Sequence, residues 1–130
     1  MPQEFEIPPG IKNEDLWRKH CRKIRARASD LLEGRLGLIE TARAMLPLAR
    51  WTKVDGEPEF QLFRAIASET DDLPVGEVRA YWAPEALERE DVRIRAAETI
   101  WNDRARSAAA RLVERYQWTI ARGHSSFGEE

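Results

Sequence analysis

The clearest helical pattern covers residues 84–122, which read PEALEREDVRIRAAETIWNDRARSAAARLVERYQWTIAR. Pro84 suits the first turn of a helix, and neither Pro nor Gly follows it before Gly123. The apolar residues recur three, four or seven positions apart, which is the spacing of one helix face. The sequence therefore predicts a long C-terminal amphipathic helix, with a break near Glu90 and Asp91 as an alternative. The apolar positions are Leu87, Ile94, Ala97, Trp101, Ala105, Ala108, Leu112 and Tyr116.

Two helical patterns occupy the first half of the chain. The first begins after Asn13, a good N-cap residue, and ends at Gly34, a good C-terminal residue. Its apolar positions are Trp17, Cys21, Ile24, Ala28 and Leu31. The second pattern covers residues 35–50, and we expect Pro47 to kink this helix or to end it early.

Further elements are predicted to begin at Pro58 and at Gly76, and none of the sequence alternates as a strand would. We therefore predict an all-α fold, a four- to five-helix bundle with one long C-terminal helix. Residues 1–12 are expected to form an extended N-terminal arm, residues 13–122 a single helical domain, and residues 123–130 a flexible tail.

Composition favours a soluble globular protein. Of the 130 residues, 42% are hydrophobic and 34% are charged, and no run of about 18 apolar residues is present to cross a membrane. The first residues lack the hydrophobic segment of a secretion signal, and the one cysteine cannot form an internal disulfide. We therefore expect a cytoplasmic protein.

Charge is segregated along the chain. Residues 11–54 have a net charge of +6, residues 55–91 of −8, and residues 92–122 of +4. These blocks either neutralise one another within the molecule or give it a dipolar surface that favours self-association.

A polar segment lies between two apolar ones, beginning at Ser68. Its carboxylate and hydroxyl groups could bind a ligand, or they could cap helices, since such side chains accept hydrogen bonds from free backbone N–H groups. An ion pair between Arg79 and Asp71 would fasten this segment to the next helix. The candidate ligand-binding residues are Ser68, Glu69, Thr70, Asp71, Arg79 and Trp82.

An alternative site is a row of carboxylates on the long helix. Acids three or six positions apart share a helix face, and helical nucleotide pyrophosphatases hold Mg²⁺ with carboxylates at such spacing. The row here would be Glu85, Glu88 and Asp91, and Glu98 would belong to the second carboxylate set that such a site needs. Exposed acids near a helix N-terminus are also common without a metal. We expect no metal and no cofactor as the leading interpretation.

Nucleic-acid binding is a weaker alternative. The run Arg18, Lys19, Arg22, Lys23, Arg25 and Arg27 has six bases and no acid, and it could contact phosphates. These positions fan around the helix away from Trp17, Cys21 and Ile24, as a solvated face does. Cys21 itself is expected to be a buried structural thiol.

The segment SETDDLPVGEVRAYW at residues 68–82, followed by PEAL at 84–87, resembles a family of short bacterial proteins of unknown function. The likeness covers roughly residues 20–117. It implies a bacterial, cytoplasmic, helical protein and assigns no catalytic residues.

The leading functional hypothesis is a protein-interaction or regulatory module, with a metal-dependent hydrolase of phosphate-containing small molecules as the alternative. We predict a homodimer, with a further protein partner possible, because the long helix has more apolar surface than the other helices can cover. The alternative is a monomer in which the first two helices cover that whole surface. The predicted interface comprises Ile94, Ile100, Trp101, Ala108, Leu112, Val113 and Tyr116, with Ala105 and Ala109 allowing close approach.

Overall fold

The structure is a computed structural model and describes residues 7–121. Within that range the fold is all-α, as predicted, and contains no strand. Residues 1–6 of the predicted arm and the predicted tail at 123–130 lie outside the described residues. The elements are α1 (Glu14–Leu32), α2 (Leu38–Thr52), α3 (Pro58–Glu69), a 3₁₀ helix (Gly76–Tyr81), α4 (Pro84–Arg115) and α5 (Trp118–Ala121).

The four main helices run antiparallel to their neighbours around one core. The Trp17 ring near the start of α1 stacks on Trp118, just beyond α4, and Arg106 in α4 donates to the Leu32 carbonyl at the other end of α1. Glu59 at the start of α3 pairs with Arg111 near the end of α4. These contacts give an up-down-up-down bundle, in which the connection from α3 to α4 contains the 3₁₀ helix.

The core lies where these helices face one another. Phe60 and Phe63 of α3 are almost completely buried at its centre, and burial of such side chains is the main favourable term in folding. Alanines on α4 let α1 approach closely. The fully buried residues of the other helices include Cys21, Ile24, Ala28, Ile39, Ala42, Met45, Ala105, Ala108 and Leu112.

The predicted ends of α1 are confirmed. The side chain of Asn13 accepts a hydrogen bond from the Leu16 N–H at 2.9 Å, and satisfies one of the free donors of the first turn. Gly34 follows the last turn with φ of +80°, a left-handed conformation that closes the helix and favours glycine.

The prediction that Pro47 ends the second helix early is wrong. The helix begins at Leu38 and continues through Pro47 to Thr52. Leu48, Ala49 and Thr52 are buried beyond the proline, and the Thr52 hydroxyl donates to the Leu48 carbonyl at 2.8 Å. Packing of this last turn outweighs the hydrogen bond that proline removes.

The long helix also differs from its predicted limits. It is unbroken at Glu90 and Asp91, where Arg93 and Arg79 respectively hold the two carboxylates. It ends at Arg115 instead of continuing to residue 122. The chain turns at Tyr116 because Trp118 stacks back on α1.

Candidate functional site

The polar segment begins inside α3 and continues into the connection to the 3₁₀ helix. Ser68 and Glu69 form the exposed last turn of α3, and Thr70 closes the helix in a buried position. The Thr70 hydroxyl donates to the Ile66 carbonyl at 2.7 Å. Since no helix begins within residues 68–72, these side chains do not cap a helix start, and Thr70 is instead part of a helix end.

Arg43 of α2 fastens this connection to the bundle. Its Nη2 donates to the carbonyls of Thr70 at 2.6 Å and Leu73 at 3.0 Å. Both residues are buried, so the guanidinium satisfies backbone oxygens that water reaches poorly. Sequence reasoning missed Arg43. The signal was that it is the one charged residue between Thr41 and Leu48, on an otherwise apolar helix segment.

The predicted ion pair between Arg79 and Asp71 is wrong. Arg79 forms a two-pronged pair with Asp91 of α4, at 2.8 and 3.1 Å, and also donates to the Pro74 carbonyl at 3.2 Å. The hydrogen bonds from Arg79 hold the pKa of Asp91 below its ordinary value. Arg93 of α4 likewise donates to Asp72 at 2.8 Å. The segment is therefore held against α4 by pairs that Asp71 does not join.

These contacts give different expectations for two neighbours. Asp71 is exposed and makes no hydrogen bond or ion pair with the described part of the chain, so Asp71→Ala should change the free energy of unfolding by less than about 0.5 kcal/mol. Thr70→Val removes a buried hydroxyl donor and should lower it by about 1 kcal/mol. Urea denaturation of both variants measures this. An equal loss of unfolding free energy in Asp71→Ala and Thr70→Val would contradict the interpretation that only Thr70 has a structural role.

The carboxylate row on α4 does not assemble as a metal site. Both oxygens of Asp91 accept hydrogen bonds from Arg79, which competes with any cation for them. Nowhere between residues 7 and 121 do three His, Cys, Asp or Glu side chains meet in a group that could hold a metal ion. Glu85 and Glu88 are exposed on the first turns of α4, while Glu98 is half-buried near Gly37.

Aromatic side chains are exposed at the end of the 3₁₀ helix. Tyr81 is 90% exposed and Trp82 is 39% exposed, beside the half-exposed Val78. The forked contact of Arg79 with Asp91 fixes this turn against α4. Of the candidate site residues, Trp82 therefore lies at the surface next to Arg79, whereas Ser68 and Glu69 belong to α3 and make no described contact with it.

The predicted dimer face is mostly occupied within the monomer. Trp101, Ala105, Ala108, Ala109, Leu112 and Tyr116 are buried against the other helices, and Trp118 is buried too. Apolar exposure on α4 occurs instead at Val92 and Ile100, which are 58% and 66% exposed. We call Val92, Ala96 and Ile100 the outer face of α4, since they are four residues apart and point away from the core.

The single thiol is inert. Cys21 is fully buried, as predicted, and burial raises its pKa to about 12. Such a thiol is neither a nucleophile nor a metal ligand at neutral pH.

Comparison of the chain with protein-family models, curated proteins and solved structures returned no match. The resemblance of residues 68–87 to a bacterial family stays a prediction. No helix among residues 7–121 is long and apolar enough to cross a membrane.

Proposed function

We propose that this protein is an interaction module that works as a homodimer, paired through the outer face of α4. The observation that supports this proposal is the exposure of Val92 and Ile100 on one side of the longest helix. A small side chain, Ala96, lies midway between them. Large apolar groups flanking a small one allow two helices to approach closely and bury the exposed surface.

The outer face has a natural register with a second copy. If two α4 helices run antiparallel about a two-fold axis at Ala96, Val92 of each copy lies at the level of Ile100 in the other. The same register places Arg89 level with Asp103 of the second copy, twice per dimer. Both side chains are exposed, and neither forms an ion pair with the described part of its own chain. Charge therefore favours the register that the apolar residues define.

This interface replaces most of the one expected from the sequence, which used the inward stripe, and keeps only Ile100 from it. It requires no change in the bundle, because every group involved is already on the surface. The bacterial origin remains part of the proposal on the basis of the resemblance alone, and the cytoplasmic location on the basis of the resemblance and the sequence composition.

The alternatives have less support. A metal-dependent hydrolase needs converging carboxylates, and Asp91, one of the acids of that hypothesis, is engaged by Arg79. Nucleic-acid binding needs a continuous set of available cations, but Arg27 of the basic run on α1 pairs with Asp30 of its own helix.

The dimer is tested by exchanging charges. We expect light scattering at micromolar concentration to give twice the 15.0 kDa mass of the chain. Arg89→Asp places like charges opposite each other and should weaken the dimer at least about tenfold, and adding Asp103→Arg should restore it. Ile100→Asp should weaken the dimer both in the wild type and in the double variant that carries Arg89→Asp and Asp103→Arg.

The matched control is Leu16→Asp, which puts the same charge on an exposed apolar residue at the start of α1, where α1 adjoins the end of α4 opposite to Val92. It should leave the mass unchanged. A wild-type chain that stays at 15.0 kDa at all concentrations contradicts the proposal. A dimer that Arg89→Asp and Ile100→Asp leave intact contradicts the proposed interface.

A further inference from the structure

A groove lies between the start of α1 and the end of α2. It has a volume of about 500 Å³, within the range of small-molecule sites. The antiparallel arrangement of α1 and α2 brings its walls together from residues about 30 to 40 positions apart in sequence. Neither the polar segment nor the outer face of α4 contributes to it.

The walls of the groove are apolar and aromatic. Ile11, Leu16 and Trp17 line one side, and Trp51 lines the other. The Trp51 ring stacks on His20, with centroids 5.8 Å apart and planes inclined by 16°, yet Trp51 is still 62% exposed. An exposed indole supported by a parallel ring offers a flat surface to an aromatic ligand.

The charged residues that line the groove are all basic. Lys12, Arg50 and Lys53 line the groove, and no Asp or Glu does so in the part of the chain that the structure describes. None of the three cations forms an ion pair with a carboxylate among residues 7–121. Cations beside an apolar surface favour an anion and disfavour a cationic ligand.

Lys53 is held at the rim by backbone geometry. It adopts a left-handed conformation with φ of 62°, which is uncommon for a residue other than glycine. The end of its side chain lies beside Gly10. A Cβ added at Gly10 would be 3.5 Å from the Lys53 Cε and 3.7 Å from its Nζ. Gly10 itself has φ of +90°. The turn before α1 and the turn after α2 thus jointly place an ammonium group over the groove.

We infer that this groove binds a small aromatic anion, with the ring stacked against Trp51 and the negative group near Lys53 and Arg50. The inference is independent of the dimer, because the groove is built from α1 and α2 of one chain. It adds a ligand class to the proposed interaction module.

The test uses two fluorescent probes that share an aromatic framework. One is 8-anilinonaphthalene-1-sulfonate, and the other is N-phenyl-1-naphthylamine, which lacks the sulfonate. We expect the sulfonate probe to saturate at one per chain and to bind at least about tenfold more tightly than the neutral probe. Raising the salt concentration should weaken binding of the charged probe only.

Two groove variants and one control locate the site. Trp51→Ala should weaken binding of the sulfonate probe at least about tenfold. Lys53→Met should reduce the ratio of the affinity for the sulfonate probe to the affinity for the neutral probe. Trp82→Ala removes an exposed tryptophan elsewhere and should leave both affinities unchanged. Since Trp51 and Lys53 are exposed, both variants should fold, which circular dichroism verifies. Equal affinity for the two probes, or unchanged binding in Trp51→Ala, would overturn the inference.

Discussion

Glu59→Ala is expected to lower the free energy of unfolding by about 3 kcal/mol at pH 7. The Glu59 side chain is 5% exposed, and its Oε2 accepts hydrogen bonds from Arg111 at 2.9 Å and from Arg115 at 2.8 Å. Burial opposes ionisation of this carboxyl group, but the hydrogen bonds from Arg115, the backbone and Arg111 outweigh burial and lower the pKa from 4.5 to about 2. Removal of the carboxylate therefore takes away a favourable charge interaction that joins α3 to α4.

The same pKa shift determines how the contribution of Glu59 to the free energy of unfolding depends on pH. Because the pKa of Glu59 is lower in the folded protein than in the unfolded chain, the unfolded chain binds more protons in acid. The contribution of Glu59 is fully present above about pH 4.5 and is lost as the pH falls toward about 2. Glu59→Gln cannot ionise, so its stability should fall less steeply than that of the wild type over this interval.

Urea denaturation at several pH values measures both effects. The matched control is Glu57→Ala, since Glu57 also pairs with Arg115, at 2.7 Å, but its side chain is 42% exposed. An exposed pair of this kind contributes about 0–1 kcal/mol. Equal losses in Glu57→Ala and Glu59→Ala would show that burial of Glu59 adds nothing, and equal acid sensitivity of Glu59→Gln and the wild type would contradict the assigned pKa.

The helices were predictable because their signals are local. Asn13, Gly34, Pro58 and Pro84 each act within one turn of the helix that they begin or end, and the apolar spacing identifies the buried face directly. Pro47 misled the prediction because its effect competes with burial of the turn that follows. That burial depends on α2 packing in the bundle, which no short segment of sequence specifies.

Side-chain pairing was less predictable. Arg79 has acids on both sides in the sequence, and Asp71 and Asp91 are at comparable separations from it. The choice of Asp91 follows from the 3₁₀ helix, which turns Arg79 toward α4. Sequence reasoning assigned a structural role to Asp71 because it could not predict the direction of Arg79. In the structure that role belongs to its neighbour Thr70 and to Arg43.

The groove was missed because its two walls meet only in the folded bundle. One signal was available. Trp51 lies off the predicted apolar face of the second helix, between Arg50 and Lys53, so the sequence places a large aromatic side chain among charges at a helix end. The dimer face shows the opposite problem, since the apolar spacing correctly identified buried residues but could not tell burial within the monomer from burial between copies.

Arg43→Met should lower the free energy of unfolding by about 2–3 kcal/mol, because it leaves two buried carbonyl groups without their charged donor. Methionine keeps most of the aliphatic stem, so the loss reports the hydrogen bonds more than the packing. Urea denaturation measures the loss, with Arg64→Met as the control. Arg64 is exposed on α3 and makes no hydrogen bond or ion pair within residues 7–121, and its replacement should change stability by less than about 0.5 kcal/mol.

Hydrogen exchange distinguishes a local from a general effect of Arg43. The Leu73 amide donates to the Thr70 carbonyl, the same oxygen that Arg43 holds. If Arg43 fixes the connection between α3 and the 3₁₀ helix, this amide should lose protection in Arg43→Met before the amides of α1 do. Arg79 and Asp72 join the same region to α4 and should keep the 3₁₀ helix in place, so α4 should retain its protection. Uniform loss of protection across all helices, or stability equal to that of Arg64→Met, would contradict this role for Arg43.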